Sequence, residues 1–126
     1  MKKTITTDSA PAAIGTYSQA VQHGGLLYVS GQIPLVPATM ELVSSDIDLQ
    51  INQVFDNLSA IAAAAGTTLN DAVKLTVYLT DLGHFSSVNE VMSQRLAQPY
   101  PARVALEVSA LPRSALVEID AIVAIS

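Results

Sequence analysis

Between residues 45 and 80 the spacing of apolar side chains changes once, and that change restricts the chain to folds in which a long helix packs on a sheet. Ile47, Ile51, Val54, Phe55, Leu58, Ile61, Ala62 and Ala65 recur at steps of three and four. That spacing places them on one face of a helix. Ser45 or Asp46 offers the short side-chain oxygen that caps its first turn, and Gly66 offers the left-handed residue that ends it. Directly after, "DAVKLTVYLTD" alternates. Val73, Leu75, Val77 and Leu79 point one way, and Lys74, Thr76, Tyr78 and Thr80 the other. Such a strand has an apolar face for the helix to cover and a half-polar face that needs a different neighbour.

The remaining elements arrange themselves around this pair. "KTIT" fits a short edge strand. "SAPAAIGTYSQAVQ" reads as a loop running into an extended piece that ends near Gln22. "HGG", residues 23–25, is a turn signal, and "LLYVSGQ" follows as the second arm of a hairpin. Phe85, Val88, Met92 and Leu96 mark a weaker second helix that stops before Pro99. "RVALEV" and "ALVEIDAIVAI" are two strands joined by the turn "SALPRS". The order is ββαβαββ, which predicts an α+β domain over residues 1–126: a single mixed sheet with both helices packed on one face. No linker, repeat or low-complexity stretch divides the chain.

Composition narrows the function. Charged residues make up only 13% of the chain, against roughly 25% in ordinary domains. So little charge on a small domain predicts that part of its surface is covered by further copies. The formal charge is −5, with no basic run, which argues against nucleic-acid binding. The alanine-rich run near "LSAIAAAAG" is too short to span a bilayer, and Met1–Lys3 is not followed by an apolar signal core. A soluble cytoplasmic protein is expected, with no membrane partner. Cysteine is absent, so no thiol nucleophile or zinc–thiolate cluster is available. His23 and His84 lack ligand spacing, and neither a P-loop nor GxGxxG occurs, so neither a metal nor a nucleotide cofactor is expected.

One cation stands out. In "PYPARVALEV", Arg103 opens a segment otherwise suited to burial. Arg103, Ala105 and Glu107 share one face of their strand, and Glu118 and Asp120 share one face of the next. If the two strands form a hairpin with Ala105 opposite Glu118, Arg103 falls opposite Asp120, and a guanidinium meets two carboxylates on one face. Ion pairs of this kind are more often structural. The same groups also suit a small carboxylate ligand, which arginine's planar fork binds bidentately while a glutamate acts on water. Ser30 and Gly31 in "YVSGQIP" fit a bulge, or a close backbone approach to a ligand. Tyr17 is a loop aromatic with a polar tip, a type that more often packs than acts. Asn89, on the second helix, suits a cap, a packing position or a ligand contact.

Taken together, "APAAIGTYSQAV", "YVSGQIP", "FDNLSAIAAAAG", "VKLTVYLTDLGHFSSVNEV", "YPARVALEV" and "LPRSALVEIDAIVA" resemble, in order and over nearly the whole chain, the RidA family of YjgF-type reactive intermediate deaminases. The resemblance implies a chorismate-mutase-like α+β fold and a homotrimer with ligand clefts between subunits. It also implies cofactor-free hydrolysis of enamines and imines, such as 2-aminoacrylate, to 2-keto acids and ammonia. Carried over by position, it implies that Arg103 clamps the carboxylate of a small 2-imino or 2-keto acid. The Ala105 carbonyl and Glu118 would hold the attacking water, and Tyr17, Ser30, Gly31 and Asn89 would line the cleft. Three departures stand out: Ala105 where many relatives have cysteine, Met92 where an aromatic residue is frequent, and a shortened Asn89–Arg103 segment. The alternative reading is a non-catalytic trimeric module whose clefts hold small carboxylate metabolites and regulate a partner.

Overall fold

The computed structural model describes residues 1–126. Six strands form one mixed sheet: β1 (Lys3–Ile5), β2 (Ala20–His23), β3 (Leu26–Gln32), β4 (Ala72–Leu79), β5 (Ala102–Glu107) and β6 (Val117–Ala124). Their spatial order is β1-β2-β3-β6-β4-β5. The short strand at "KTIT" is an edge strand, as expected, and adds one strand to the order ββαβαββ. The long helix α1 (Ile47–Ala64) packs across β3 and β6, and α2 (Phe85–Arg95) packs beside it. This is the α+β, chorismate-mutase-like arrangement. No helix is long and apolar enough to cross a membrane.

The periodicity of α1 translates directly into burial. Ile51, Val54, Phe55, Leu58 and Ile61 are fully buried against Leu27, Val29, Leu75, Val77, Val117, Ile119 and Val123 of the sheet. Asp46 caps the helix by accepting from the Leu49 N–H at 3.0 Å, and Gly66 leaves it at φ 81°, a left-handed value that costs glycine nothing. Two amides on the buried side escape a search for apolar spacing. Gln50 accepts from the Leu116 N–H at 2.9 Å and donates to the Ser44 carbonyl at 2.8 Å. Asn57 donates to the carbonyls of Leu35, at 3.0 Å, and Ile33. These bonds satisfy buried backbone groups, and they fasten the irregular segment after β3 and the turn before β6 to the helix.

The C-terminal hairpin expected from sequence does not form. β5 pairs with β4, in parallel, and β6 runs antiparallel between β3 and β4. A strand, a helix and a second strand return in parallel through a crossover, and β4–α2–β5 is such a unit. The chain then passes the end of β4, where Val108 N–H donates to the Leu79 carbonyl and Thr80 N–H to the Leu116 carbonyl. Arg103 therefore stands opposite Leu75, and Ala105 opposite Val77. Glu118 stands opposite Tyr78, and Asp120 opposite Thr76. The sharing of faces within each strand holds, but the two sets lie on opposite sides of the sheet. Val73 also departs from the alternation: a register shift between Ala72 and Lys74 leaves it 47% exposed.

β5 is the outer strand, and its main chain points two ways. Because Val108 bonds to β4, alternation turns Val104 and Leu106 toward β4. The N–H and C=O groups of Arg103, Ala105 and Glu107 are directed to the open edge.

Candidate functional site

The first group of interest is built by α2 and β5. Phe85, Asn89 and Met92 recur at steps of four and three, which brings them onto one stripe of α2. That stripe meets the half-buried side chain of Arg103. The guanidinium lies over the Phe85 ring, 4.8 Å from its centroid. Its Nη1 donates to Asn89 Oδ1 at 2.5 Å and lies 3.6 Å from Met92 Sδ. No carboxylate pairs with it; the ion pair of the chain is Arg95–Asp56, at 2.7 Å. An amide oxygen and a ring face orient a cation without cancelling its charge. The charge faces a cleft of about 420 Å³ that Tyr100, Pro101 and Ser93 help to line. The structural ion pair considered from sequence is therefore absent.

The second group lies on the other face, where β6 meets β3. The β3–β6 register shifts between Val29 and Gln32, and Ser30 and Gly31 occupy that irregularity. Glu118 packs directly on Gly31: a Cβ there would collide with the Glu118 carboxyl group, so only glycine fits without displacing it. Ser30 Oγ donates to the Ser18 carbonyl at 2.6 Å, and Ser30 N–H donates to the Gln19 carbonyl at 2.9 Å. Ser30 thus anchors the loop that presents Tyr17, which is 53% exposed. A cleft of about 280 Å³ runs from Gly31 past Tyr17, Ile14 and Met40 to Arg113. Burial, and then the negative charge of Asp120, push the Glu118 carboxyl above its ordinary value. Such a group holds and releases a proton nearer neutrality than most glutamates do.

The structure brings Arg103 together with Asn89, and Glu118 with Gly31, Ser30 and the Tyr17 loop. It does not bring the two groups together. β4 separates their strands by about 10 Å, and the side chains leave opposite faces. Sequence reasoning used Phe85 and Met92 to mark a helix; the same spacing, set beside Asn89, outlines the stripe under Arg103. It also passed over Arg113, whose φ of 60° and place in the Gly31 cleft no periodicity signals.

This geometry defines a class: an α+β sheet protein that carries an unpaired cation in one cleft and, beside another, a half-buried carboxyl that burial pushes above its ordinary value. The family model described as Endoribonuclease L-PSP matches residues 7–125. A RutC family protein of Pyrococcus horikoshii is 50% identical over 122 residues, covering 97% of each chain. The mouse 2-iminobutanoate/2-iminopropanoate deaminase is 45% identical over 122 residues, covering 97% of this chain and 90% of its own. The crystal structure of RidA from an Antarctic Psychrobacter superposes with a TM-score of 0.94 at 53% identity, over 98% of this chain and 99% of that one. The chain belongs to this family, the RidA or YjgF family.

Proposed function

We propose that the protein hydrolyses reactive enamines and imines of small 2-imino acids to 2-keto acids and ammonia, in clefts between copies of itself assembled as a trimer. The observation that carries the reading is the division of the two groups: Arg103 lacks an anion, Glu118 lacks a cation, and one sheet separates them. A neighbouring copy that lays its Arg103 cleft against the Glu118–Gly31 face completes both. The half-polar face that carries Glu118 also exposes Tyr28 and Val104, which suits coverage by another subunit. The name of the mouse relative supports the reaction class.

The chemistry asks for orientation and modest proton transfer. An enamine tautomerises to an imine, whose C2 is electrophilic. Arg103 holds the substrate carboxylate bidentately. Protonated Glu118 gives its proton to the imine nitrogen. The resulting carboxylate accepts a proton from water as the water oxygen bonds to C2. The Ala105 carbonyl, directed to the open edge of β5, accepts that water's second hydrogen. A second transfer to nitrogen lets the C–N bond break, with departure of ammonia and formation of the keto group. Each proton taken from Glu118 is returned, so no other reactant is consumed. The net charge of −5 and clefts that hold one arginine each favour a small anion over RNA.

The test is ammonia release from freshly generated 2-aminoacrylate. Wild type should exceed spontaneous hydrolysis, and Glu118→Ala should lose about 10²- to 10⁴-fold. Arg103→Ala should lose more, because binding and alignment go together. A wild-type rate no faster than buffer, with 2-keto acid binding intact, would establish the non-catalytic binding module instead.

A further inference from the structure

The face that carries Glu118 holds a second carboxylate for which the proposed reaction has no use. Asp120 lies two residues further along β6, so both side chains leave the same side of the sheet. Tyr78 faces Glu118 from β4, yet its hydroxyl reaches diagonally and donates to Asp120 Oδ2 at 2.9 Å. The other nearby hydroxyl, Ser30, is committed to the Ser18 carbonyl. Glu118 thus receives no hydrogen bond from the two donors beside it, while its neighbour is held in place.

We propose that Asp120, tethered by Tyr78, is a positioning residue for the reaction inferred above: its fixed negative charge keeps the proton on Glu118 against the pull of an Arg103 supplied by a neighbouring copy. The proposal rests on that functional reading for its purpose, but its physical content is local. A carboxylate beside another disfavours a second negative charge, and pairs of groups driven apart in this way divide into donor and acceptor. The Glu118 carboxyl is raised first by burial and next by Asp120. The Tyr78 hydroxyl is raised first by its bond to Asp120, next by burial and then by the two carboxylates, so it remains a donor where glutamates titrate. The other groups around Glu118 act weakly. From β3, Ser30 and Gly31 carry no charge, and Tyr28 stands further along, opposite Ile122. On β4, Lys74 is also opposite Ile122, four residues beyond Tyr78 and about 13 Å away along the strand. Arg113, in the cleft past Gly31, is exposed to solvent and is screened.

The experiment follows the Glu118 carboxyl carbon by 13C NMR through a pH titration, in wild type, Asp120→Asn, Asp120→Glu and Tyr78→Phe. The pH profile of kcat/KM for 2-aminoacrylate is measured beside it. Asp120→Asn should lower the Glu118 midpoint by roughly half a pH unit or more. It should also move the alkaline limb of kcat/KM acidward by the same amount, with 2-keto acid affinity within about twofold of wild type. Tyr78→Phe, which keeps every charge but frees Asp120 to turn toward water, should move both in the same direction by less. Asp120→Glu should restore the wild-type midpoint. A midpoint unmoved in Asp120→Asn, or an Asp120→Glu protein that behaves like it, overturns the proposal. If Asp120→Asn fails to fold, an unmoved midpoint in Tyr78→Phe does the same. A midpoint that shifts in a protein without deaminase activity upholds the coupling and refutes the reaction; an active deaminase with a fixed midpoint refutes the coupling alone.

Discussion

Arg103 and Glu118 leave opposite faces of one sheet, with β4 between their strands. Neither side chain reaches the other within a single copy, so the proposed cleft would take one residue from each of two subunits. Arg103→Ala and Glu118→Ala proteins should each be inactive as homotrimers. Unfolded together and reassembled, they should regain roughly a quarter of the wild-type sites by random assortment around the ring. Ammonia release from the mixture checks this; no recovery despite mixed trimers by native mass spectrometry would mean that the two residues do not serve a shared cleft.

Asn89 orients the Arg103 guanidinium without neutralising it. Asn89→Asp places a carboxylate at the same position, where a charge-assisted bond replaces a neutral one. The internal carboxylate then competes with the ligand's. Binding of a 2-keto acid, read by calorimetry, should weaken about 10- to 100-fold, while the melting temperature stays level or rises slightly.

Gly31 makes room for the Glu118 carboxyl. Its backbone lies outside the left-handed region, so alanine suits the main chain, and the collision falls on the end of a flexible side chain. Gly31→Ala should therefore fold with little loss, under about 1 kcal/mol. Displacing Glu118 by a fraction of its length should still lower kcat/KM about 10²-fold. Thermal melts and steady-state rates separate the two effects.

The raised carboxyl of Glu118 has a cost that depends on pH. Above the ordinary glutamate value of 4.5, the folded protein holds a proton that the unfolded chain has released. Stability then falls as pH rises through the window from that value to the raised native one, and the cost persists above it. Glu118→Gln removes the titrating group. Its melting temperature should exceed wild type at pH 7 by a small margin, on the order of 1–2 °C for a half-exposed group. The difference should vanish below about pH 4, where wild type is also neutral. A scan of melting temperature against pH reads the sign directly.

Legibility in the sequence followed the range of the interactions involved. α1 and β4 were readable because their spacing is long and regular, and because Asp46 and Gly66 mark the helix ends by local chemistry. Side-chain parity was also local, so Arg103, Ala105 and Glu107 were grouped correctly, as were Glu118 and Asp120. Strand pairing is not local. Chain proximity suggested that β5 and β6 were neighbours, whereas the helix between β4 and β5 demands a parallel crossover and inserts β4 between them. Arg103 drew notice as a cation in an apolar stretch, but its surroundings were hidden because helical spacing names a face and not what covers it. Phe85 and Met92 could mark core or cleft by the same count. Gln50 and Asn57 were invisible for the converse reason: apolar counting skips a buried amide that holds distant backbone in place. Tyr17, Ser30 and Gly31 carried little weight as isolated residues and gained it only through family resemblance.

The outward turn of the β5 main chain at residues 103, 105 and 107 has one more effect. An oxygen offered by the peptide unit survives any exchange of the side chain attached to it. Alanine at 105, where the family resemblance implies a frequent cysteine, leaves that oxygen where it was. Only small side chains fit this half-buried position against the core, and among those the oxygen stays put, so chemistry that rewrites the amide itself, such as a thioamide installed by protein ligation, is what exposes its contribution.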